Sequence, residues 1–275
     1  MNLLQQPKWR IIDQSSSGLY IRALQSFAID DTLCTTVGAG QSPATARAWV
    51  HDHTVVVGIQ DGRLPEFQQG AAFLREKGYD VIVRNSGGLA VVLDEGILNV
   101  TLVFPEKDRR IDINRGYEAM WELVQQMFND FEQPIEAGEI VGSYCPGSFD
   151  LSMNGKKFAG ISQRRIRGGV AVQIYMDVNG SAAKRAALVR DFYQVAQNGV
   201  QTKFTYPEVN PEVMASLSKL LGVPLTVEDV MLRLLKTLQS YTGNLLSYPL
   251  TEAEMLIFEA NLARMEERND KLNLL

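Results

Sequence analysis

Chemistry in this 275-residue chain concentrates in four short stretches. The first is Gly142-Ser-Tyr-Cys-Pro-Gly147. A thiol in a glycine- and proline-rich loop is reachable, and it becomes a nucleophile where a nearby cation favours the thiolate. The other cysteine, Cys34, stands among apolar residues at helical spacing and reads as core filler. The second stretch is Arg84-Asn-Ser-Gly-Gly88. Its glycines let backbone N–H groups approach a ligand closely, and an arginine at a strand end can hold a carboxylate or phosphate. The plain alternative is a turn between two strands. No Gly-Lys-Ser/Thr follows, and the loop opens no helix, so it is neither a P-loop nor a dinucleotide fingerprint. The third runs from Lys156 to Arg167. Between Asp150 and Asp177 it places Lys156, Lys157, Arg164, Arg165 and Arg167 with no acid among them. Such a strand-borne patch suits an acidic partner; a solvated edge strand guarded by lysines is the other reading. The fourth is His51 and His53, two apart on an expected strand and so on one face. No serine or cysteine motif adjoins them, and a structural role is the simpler reading. With two cysteines they make no metal cage.

The elements that must position these groups follow from periodicity and caps. A helix is expected over Gly18–Val37, stopped by Gly38-Ala-Gly40, then strand from Ala46 to Gln60. Gln68–Lys77 reads as a helix closed by Gly78 and Tyr79–Arg84 as a strand. Leu89–Leu93 and Ile97–Phe104 read as a hairpin around Asp94-Glu-Gly96. A long amphipathic helix spans Ile113–Phe131. Ile140–Val178 is dominated by strands, with Asn154-Gly155 the strongest hairpin turn, because both residues tolerate positive φ. Ser181 caps a helix to about Ala196, and Asn210-Pro211 starts another that ends at Gly222. Thr226 with Asp229, and Thr251 with Glu254, start two more.

Strands in the middle and helices at the end argue α+β: a mixed or antiparallel sheet core flanked by helices, with a helical C-terminal tail. The length suits one domain or a domain with an appendage. Apolar residues at 45% and charged residues at 21% exclude disorder as the dominant state. With 27 basic and 32 acidic residues, net −5, neither nucleic acid nor anionic membrane is an expected partner. Two cysteines give no disulfide framework and suit a reducing compartment. No secretory signal and no 18-residue apolar run is present, so a cytoplasmic protein without metal is expected.

Taken together and in order, these stretches resemble the biotin/lipoate protein ligase and lipoyl transferase superfamily. Arg84-Asn-Ser-Gly-Gly88 followed by Ala90-Val-Val-Leu-Asp94 is similar to its glycine-rich substrate loop. Phe149-Asp-Leu with Gly155-Lys-Lys-Phe-Ala-Gly160-Ile-Ser-Gln163 is similar to its signature strand pair, whose acyl-contacting lysine falls on Lys157. Within it, Gly142-Ser-Tyr-Cys145-Pro-Gly-Ser-Phe-Asp150-Leu-Ser resembles the octanoyl-[glycine cleavage H protein]:protein N-octanoyltransferase subfamily, whose cysteine carries the acyl group as a thioester. Leu93 departs from the wider superfamily, which often has a histidine beside the glycine loop. The resemblance implies a biotin/lipoate ligase-type catalytic domain over 44–248, an N-terminal helix within 1–43 packed on it, and a C-terminal helical appendage over 249–275. It implies a cofactor-free amidotransfer. Cys145 takes octanoate from the H protein and passes it to lysines of lipoyl domains of 2-oxoacid dehydrogenase complexes. Lys157 is the cation expected to activate the thiol, and Arg84, Gly87 and Gly88 form the acyl-pocket wall. Open alternatives are an octanoyl-acyl carrier protein transferase, an ATP-dependent lipoate ligase, and a non-catalytic module that binds lipoyl domains. Lys157 lies near the hairpin turn, and Cys145 is up to roughly 20 Å away along an extended strand, so the loop must fold back for them to meet.

Overall fold

The computed structural model describes residues 2–16, 21–106 and 110–275. Its strands are β1 (Trp9–Gln14), β2 (Thr45–Trp49), β3 (Thr54–Val57), β4 (Asp80–Val83), β5 (Val91–Leu93), β6 (Ile97–Pro105), β7 (Glu136–Ala137), β8 (Asp150–Met153), β9 (Lys156–Ile166), β10 (Gly169–Asp177) and β11 (Leu245–Ser247). Its helices are α1 (Ala23–Gly38), α2 (Phe67–Glu76), α3 (Ile113–Met127), α4 (Ala182–Gln197), α5 (Leu217–Leu221), α6 (Val227–Thr242) and α7 (Glu252–Asp270). Short 3-10 turns lie at Asp61–Arg63 and Pro211–Val213. Among the described residues no helix is long and apolar enough to cross a membrane.

Eight strands form one mixed sheet in the order β11-β1-β2-β6-β10-β9-β8-β7, and β4-β3-β5 form a second sheet. Only β11-β1 and β1-β2 pair in parallel in the large sheet. Antiparallel pairing carries it from β2 to β7. This is the expected α+β architecture, with helices on both faces of a mixed sheet.

Period-2 alternation sorts the large sheet into two unlike faces. Leu98, Val100, Leu102 and Phe104 of β6 and Val170, Val172, Ile174 and Met176 of β10 join one apolar core with residues of α3 and α6. The alternate residues on the other face include Arg47, Asn99, Thr101 and Gln173, all buried. There Asp30 of α1 accepts from Arg47 at 2.9 Å, Thr101 at 2.8 Å and Gln173 at 2.6 Å. Burial pushes the Asp30 carboxyl up, while Arg47 and the other donors pull it back. Polar side chains are tolerated here because they satisfy one another. Against this face lie α1 and the small sheet, with α2 and α4 beyond it; α7 packs along α1.

The helix caps form as their residue types dictate. Ser181 accepts from the Lys184 N–H, and Thr226 with Asp229 and Thr251 with Glu254 make reciprocal capping boxes. Three expectations change. The helix expected from Gly18 is helical from Ala23, and its expected first residues lie outside the described set. Asn210-Pro211 opens only a 3-10 turn, and α5 starts separately after Ser216. The hairpin around Asp94-Glu-Gly96 is absent: β5 pairs with β3, while β6 pairs with β2 and β10. The chain crosses there from one sheet to the other.

Candidate active site

Asn154 (φ 52°) and Gly155 (φ 70°) form the two-residue turn that sets the local register, with Met153 opposite Lys156 and Ser152 opposite Lys157. One step further the pairing slips, so that Leu151 faces Ala159 and Phe158 is the extra residue of a bulge. Bulges re-aim side chains beside sites. Here Lys157 is fully buried. Its Nζ meets Asp150 Oδ1, the Tyr144 carbonyl and the Cys145 carbonyl, each at 2.9 Å, and Ser143 Oγ at 3.3 Å. Burial pushes the Asp150 carboxyl above the usual carboxylate range, and Lys157 opposes that shift. The rings of Tyr144 and Tyr175, stacked 5.9 Å apart, flank the ammonium at 6.0 and 5.9 Å.

The loop carrying Cys145 does fold back to Lys157. Gly142 (φ 85°) and Cys145 (φ 45°) make the reversal, and the second is an uncommon conformation for a side-chain-bearing residue. The lysine, however, grips the backbone of Cys145. Among the described residues the sulfur takes its hydrogen bonds from the Leu89 N–H at 3.1 Å and Arg84 Nη2 at 3.3 Å. Arg84 Nη2 also donates to the Leu89 carbonyl at 2.6 Å, bracing the donor next to it. The cation at the thiol is therefore Arg84, where the sequence pointed to Lys157. Arg84 Nε is buried without a protein hydrogen-bond partner among the described residues.

The glycine loop makes room for this contact. A Cβ on Gly88 (φ 108°) would stand 2.2 Å from Arg84 Nη2 and 2.9 Å from Cys145 Sγ. A Cβ on Gly87 would meet nothing within 4 Å. The requirement for glycine thus falls on Gly88.

Cys145, Arg84, Gly87 and Gly88 all line one cavity of about 270 Å³ between the two sheets. Its apolar lining includes Phe27, Trp49, Val56, Val91 and Leu93. Tyr117 of α3 lies parallel to Phe149, ring centroids 4.9 Å apart, and both belong to the lining. A cleft with an apolar side, a polar side and a half-buried thiol in its wall suits capture of an acyl chain at the carbonyl end. Among the described residues no group of three His, Cys, Asp or Glu side chains is arranged to hold a metal.

Other candidates lie elsewhere. Cys34 is buried in α1, and burial pushes its thiol well up. His51 and His53 do not share a strand face: both lie in the connection between β2 and β3, His51 buried against Ser26 and Trp49, His53 exposed. The basic stretch is largely neutralised. Lys157 pairs with Asp150, Arg164 with Asp31 at 2.8 Å and Arg165 with Glu106 at 3.1 Å. Acids distant in sequence return to these strands, and the solvated steering patch expected from sequence is reduced accordingly. Two further parts of the site, Asp150 and the Leu89 N–H, come into view only in the structure. A buried lysine needs a carboxylate, and Asp150 stood in the quoted motif; the Leu89 contact left no such signal.

Residues 22–239 match the model of the lipoyl protein ligase A/B catalytic domain. The chain is 58% identical to a Geobacillus kaustophilus protein named octanoyl-[GcvH]:protein N-octanoyltransferase, covering 98% of this chain and 95% of the relative. It is 52% identical to a Listeria monocytogenes protein named lipoyl-[GcvH]:protein N-lipoyltransferase, covering 98% and 97%. A bipartite lipoate protein ligase of Thermoplasma acidophilum superposes with a TM-score of 0.70 over 98% of each chain; at 18% identity that likeness is one of fold.

Proposed function

The chain belongs to the lipoyl protein ligase A/B catalytic-domain family, and we propose that it is an octanoyl-[GcvH]:protein N-octanoyltransferase working through a thioester on Cys145. GcvH, the glycine cleavage H protein, is the octanoyl donor. Lysines of the lipoyl domains of 2-oxoacid dehydrogenase complexes are the acceptors, and the reaction belongs to the cytoplasm. The observation that carries the covalent step is the sulfur of Cys145 in the wall of a cleft partly lined by apolar side chains, held by Leu89 N–H and Arg84.

In this reading the Cys145 sulfur attacks the carbonyl carbon of the octanoyl-lysine amide. The C–N bond breaks, the thiol proton leaves with the lysine amine, and a thioester remains. An acceptor lysine then attacks the thioester, its proton returns to sulfur, and an amide forms again. One amide is exchanged for another, so no ATP is consumed, and the kinetics are ping-pong. Leu89 N–H and Arg84 Nη2 flank the sulfur, on the side where the substrate carbonyl oxygen takes up negative charge as sulfur adds to its carbon. Lys157 clamps the loop rather than touching the thiol.

The 52% identity to a lipoyltransferase makes lipoyl the second acyl group to try. The test is intact-mass analysis of the chain mixed with octanoyl-GcvH. One octanoyl adduct, released by hydroxylamine, absent in Cys145→Ser and kept in Cys34→Ser, is expected. Full transfer by Cys145→Ser refutes the thioester. Parallel mixtures with octanoyl-acyl carrier protein, octanoate plus ATP, and lipoyl-GcvH separate the neighbouring activities.

A further inference from the structure

Behind the glycine-rich loop, two buried groups that the transfer chemistry leaves unused are joined to each other. Asp61 opens the 3-10 turn after β3 and is fully buried; Tyr193, on α4, is 2% exposed. Tyr193 Oη donates to Asp61 Oδ1 at 2.9 Å and accepts from the Ala90 N–H at 3.3 Å. Asp61 Oδ2 accepts from the Gly58 N–H at 2.7 Å. Gly58 in turn lies directly against Gly88: a Cβ on it would stand 1.9 Å from the Gly88 carbonyl oxygen. The segment from Gly58 to Asp61 thus holds the glycine loop by packing at Gly88 and, through Tyr193, by a hydrogen bond at Ala90. Between those points lies Leu89, whose N–H reaches the Cys145 sulfur.

We infer that Asp61 and Tyr193 are positioning residues for the transfer, fixing Ala90 so that the Leu89 N–H stays on the Cys145 sulfur. The inference rests on Cys145 being the nucleophile. Packing alone does not call for this pair. The Tyr193 ring sits among those of Phe192 and Tyr206, where a phenylalanine would pack equally well. A buried carboxylate is also costly unless its hydrogen bonds compensate. Burial pushes the Asp61 carboxyl up to about 6, against the pull of Gly58 N–H, Tyr193, Arg84 and Ala90 N–H. The groups facing it are Arg84 at the end of β4, Tyr193 of α4 and Tyr206 of the connection after α4, with Arg63 beyond Tyr206.

Two effects of Asp61 on the thiol have opposite signs. Its negative field opposes an anionic sulfur, so by field alone Asp61→Asn would speed thiol alkylation. A positioning role requires the same substitution to slow it. The experiment is iodoacetamide labelling of Cys145 in the full-length protein, followed by intact mass. Tyr193→Phe, which changes no charge, is expected to slow labelling roughly three- to tenfold, the worth of one hydrogen bond. It is expected to lower kcat for octanoyl transfer with KM for octanoyl-GcvH unchanged. Asp61→Asn is expected to slow labelling too, and its deficit to close as pH falls from about 7.5 to about 5, where the wild-type carboxyl is itself protonated. Labelling of Tyr193→Phe at the wild-type rate, labelling of Asp61→Asn that is unchanged or faster, or a deficit independent of pH overturns the inference. Labelling uses no acyl donor, so the result stands whether or not octanoyl transfer does.

Discussion

Replacing Arg84 with methionine keeps an unbranched apolar stem but removes the cation and its donors. In the structure Arg84 Nη2 is 3.3 Å from the Cys145 sulfur and 2.6 Å from the Leu89 carbonyl. A hydrogen bond with a charged partner contributes about 1.5–3 kcal/mol, equivalent to roughly 10- to 150-fold in rate. Sulfur is a weak acceptor and Cys145 is only half-buried, which favours the lower end. Loss of the brace on Leu89 acts in the same direction, because it frees the second donor. Arg84→Met is therefore expected to slow iodoacetamide labelling of Cys145 by about tenfold or more at neutral pH, with unchanged circular dichroism. Arg84→Lys, which keeps the charge but not the two-point contact, falls between. Cys34→Ser serves as the background, so that a single thiol is read. Wild-type labelling in Arg84→Met would refute the assignment of Arg84 as the cation at the thiol.

Gly88→Ala is expected to abolish labelling and transfer, because its Cβ would collide with Arg84 and the sulfur at φ 108°, whereas Gly87→Ala meets open space and is expected to keep both; equal loss in the two variants refutes the close-approach argument. Lys157→Met leaves Asp150 buried without its cation, which is expected to cost about 3–5 kcal/mol in urea unfolding at neutral pH. Asp150 already has a raised carboxyl, and a raised carboxyl stabilises the fold most when protonated, so this deficit shrinks as pH falls and the acid neutralises; a deficit independent of pH refutes the clamp.

Local signals in the sequence carried through to the structure where they are self-contained. Asn154-Gly155 set the register that puts Ser152 opposite Lys157, and Thr226 and Thr251 began helices because capping is settled within one turn. The misread hairpin at Asp94–Gly96 shows the limit. β5 and β6 have strand patterns and a good turn between them, yet their partners lie in different sheets, and alternation does not encode which neighbour a strand takes. The site divides in the same way. Cys145, Lys157, Arg84 and the glycine loop were legible from residue type and motif order. Their pairing was not: Arg84 reaches a sulfur 61 positions away, and Asp61 a tyrosine 132 positions away. The charge patch is reduced for a related reason, since Asp31 and Glu106 are far from Arg164 and Arg165 in sequence but adjacent in space.

The crossing that defeated the hairpin expectation is also what builds the site. The small sheet ends in Arg84 and, across the glycine loop, presents the Leu89 N–H; the large sheet presents Lys157 on β9. The Cys145 loop is gripped on its carbonyl by the large sheet and on its sulfur by the small one. The residue held at both points is the one at φ 45°, an uncommon conformation that surrounding contacts must fix. The cleft between the same two sheets supplies the apolar lining beside that sulfur. In the proposed transfer, reactivity and acyl binding thus depend on one relation, the seating of the small sheet on the large one. That dependence explains why residues such as Asp61 and Tyr193, which touch neither the cavity nor the thiol through their side chains, bear on the chemistry.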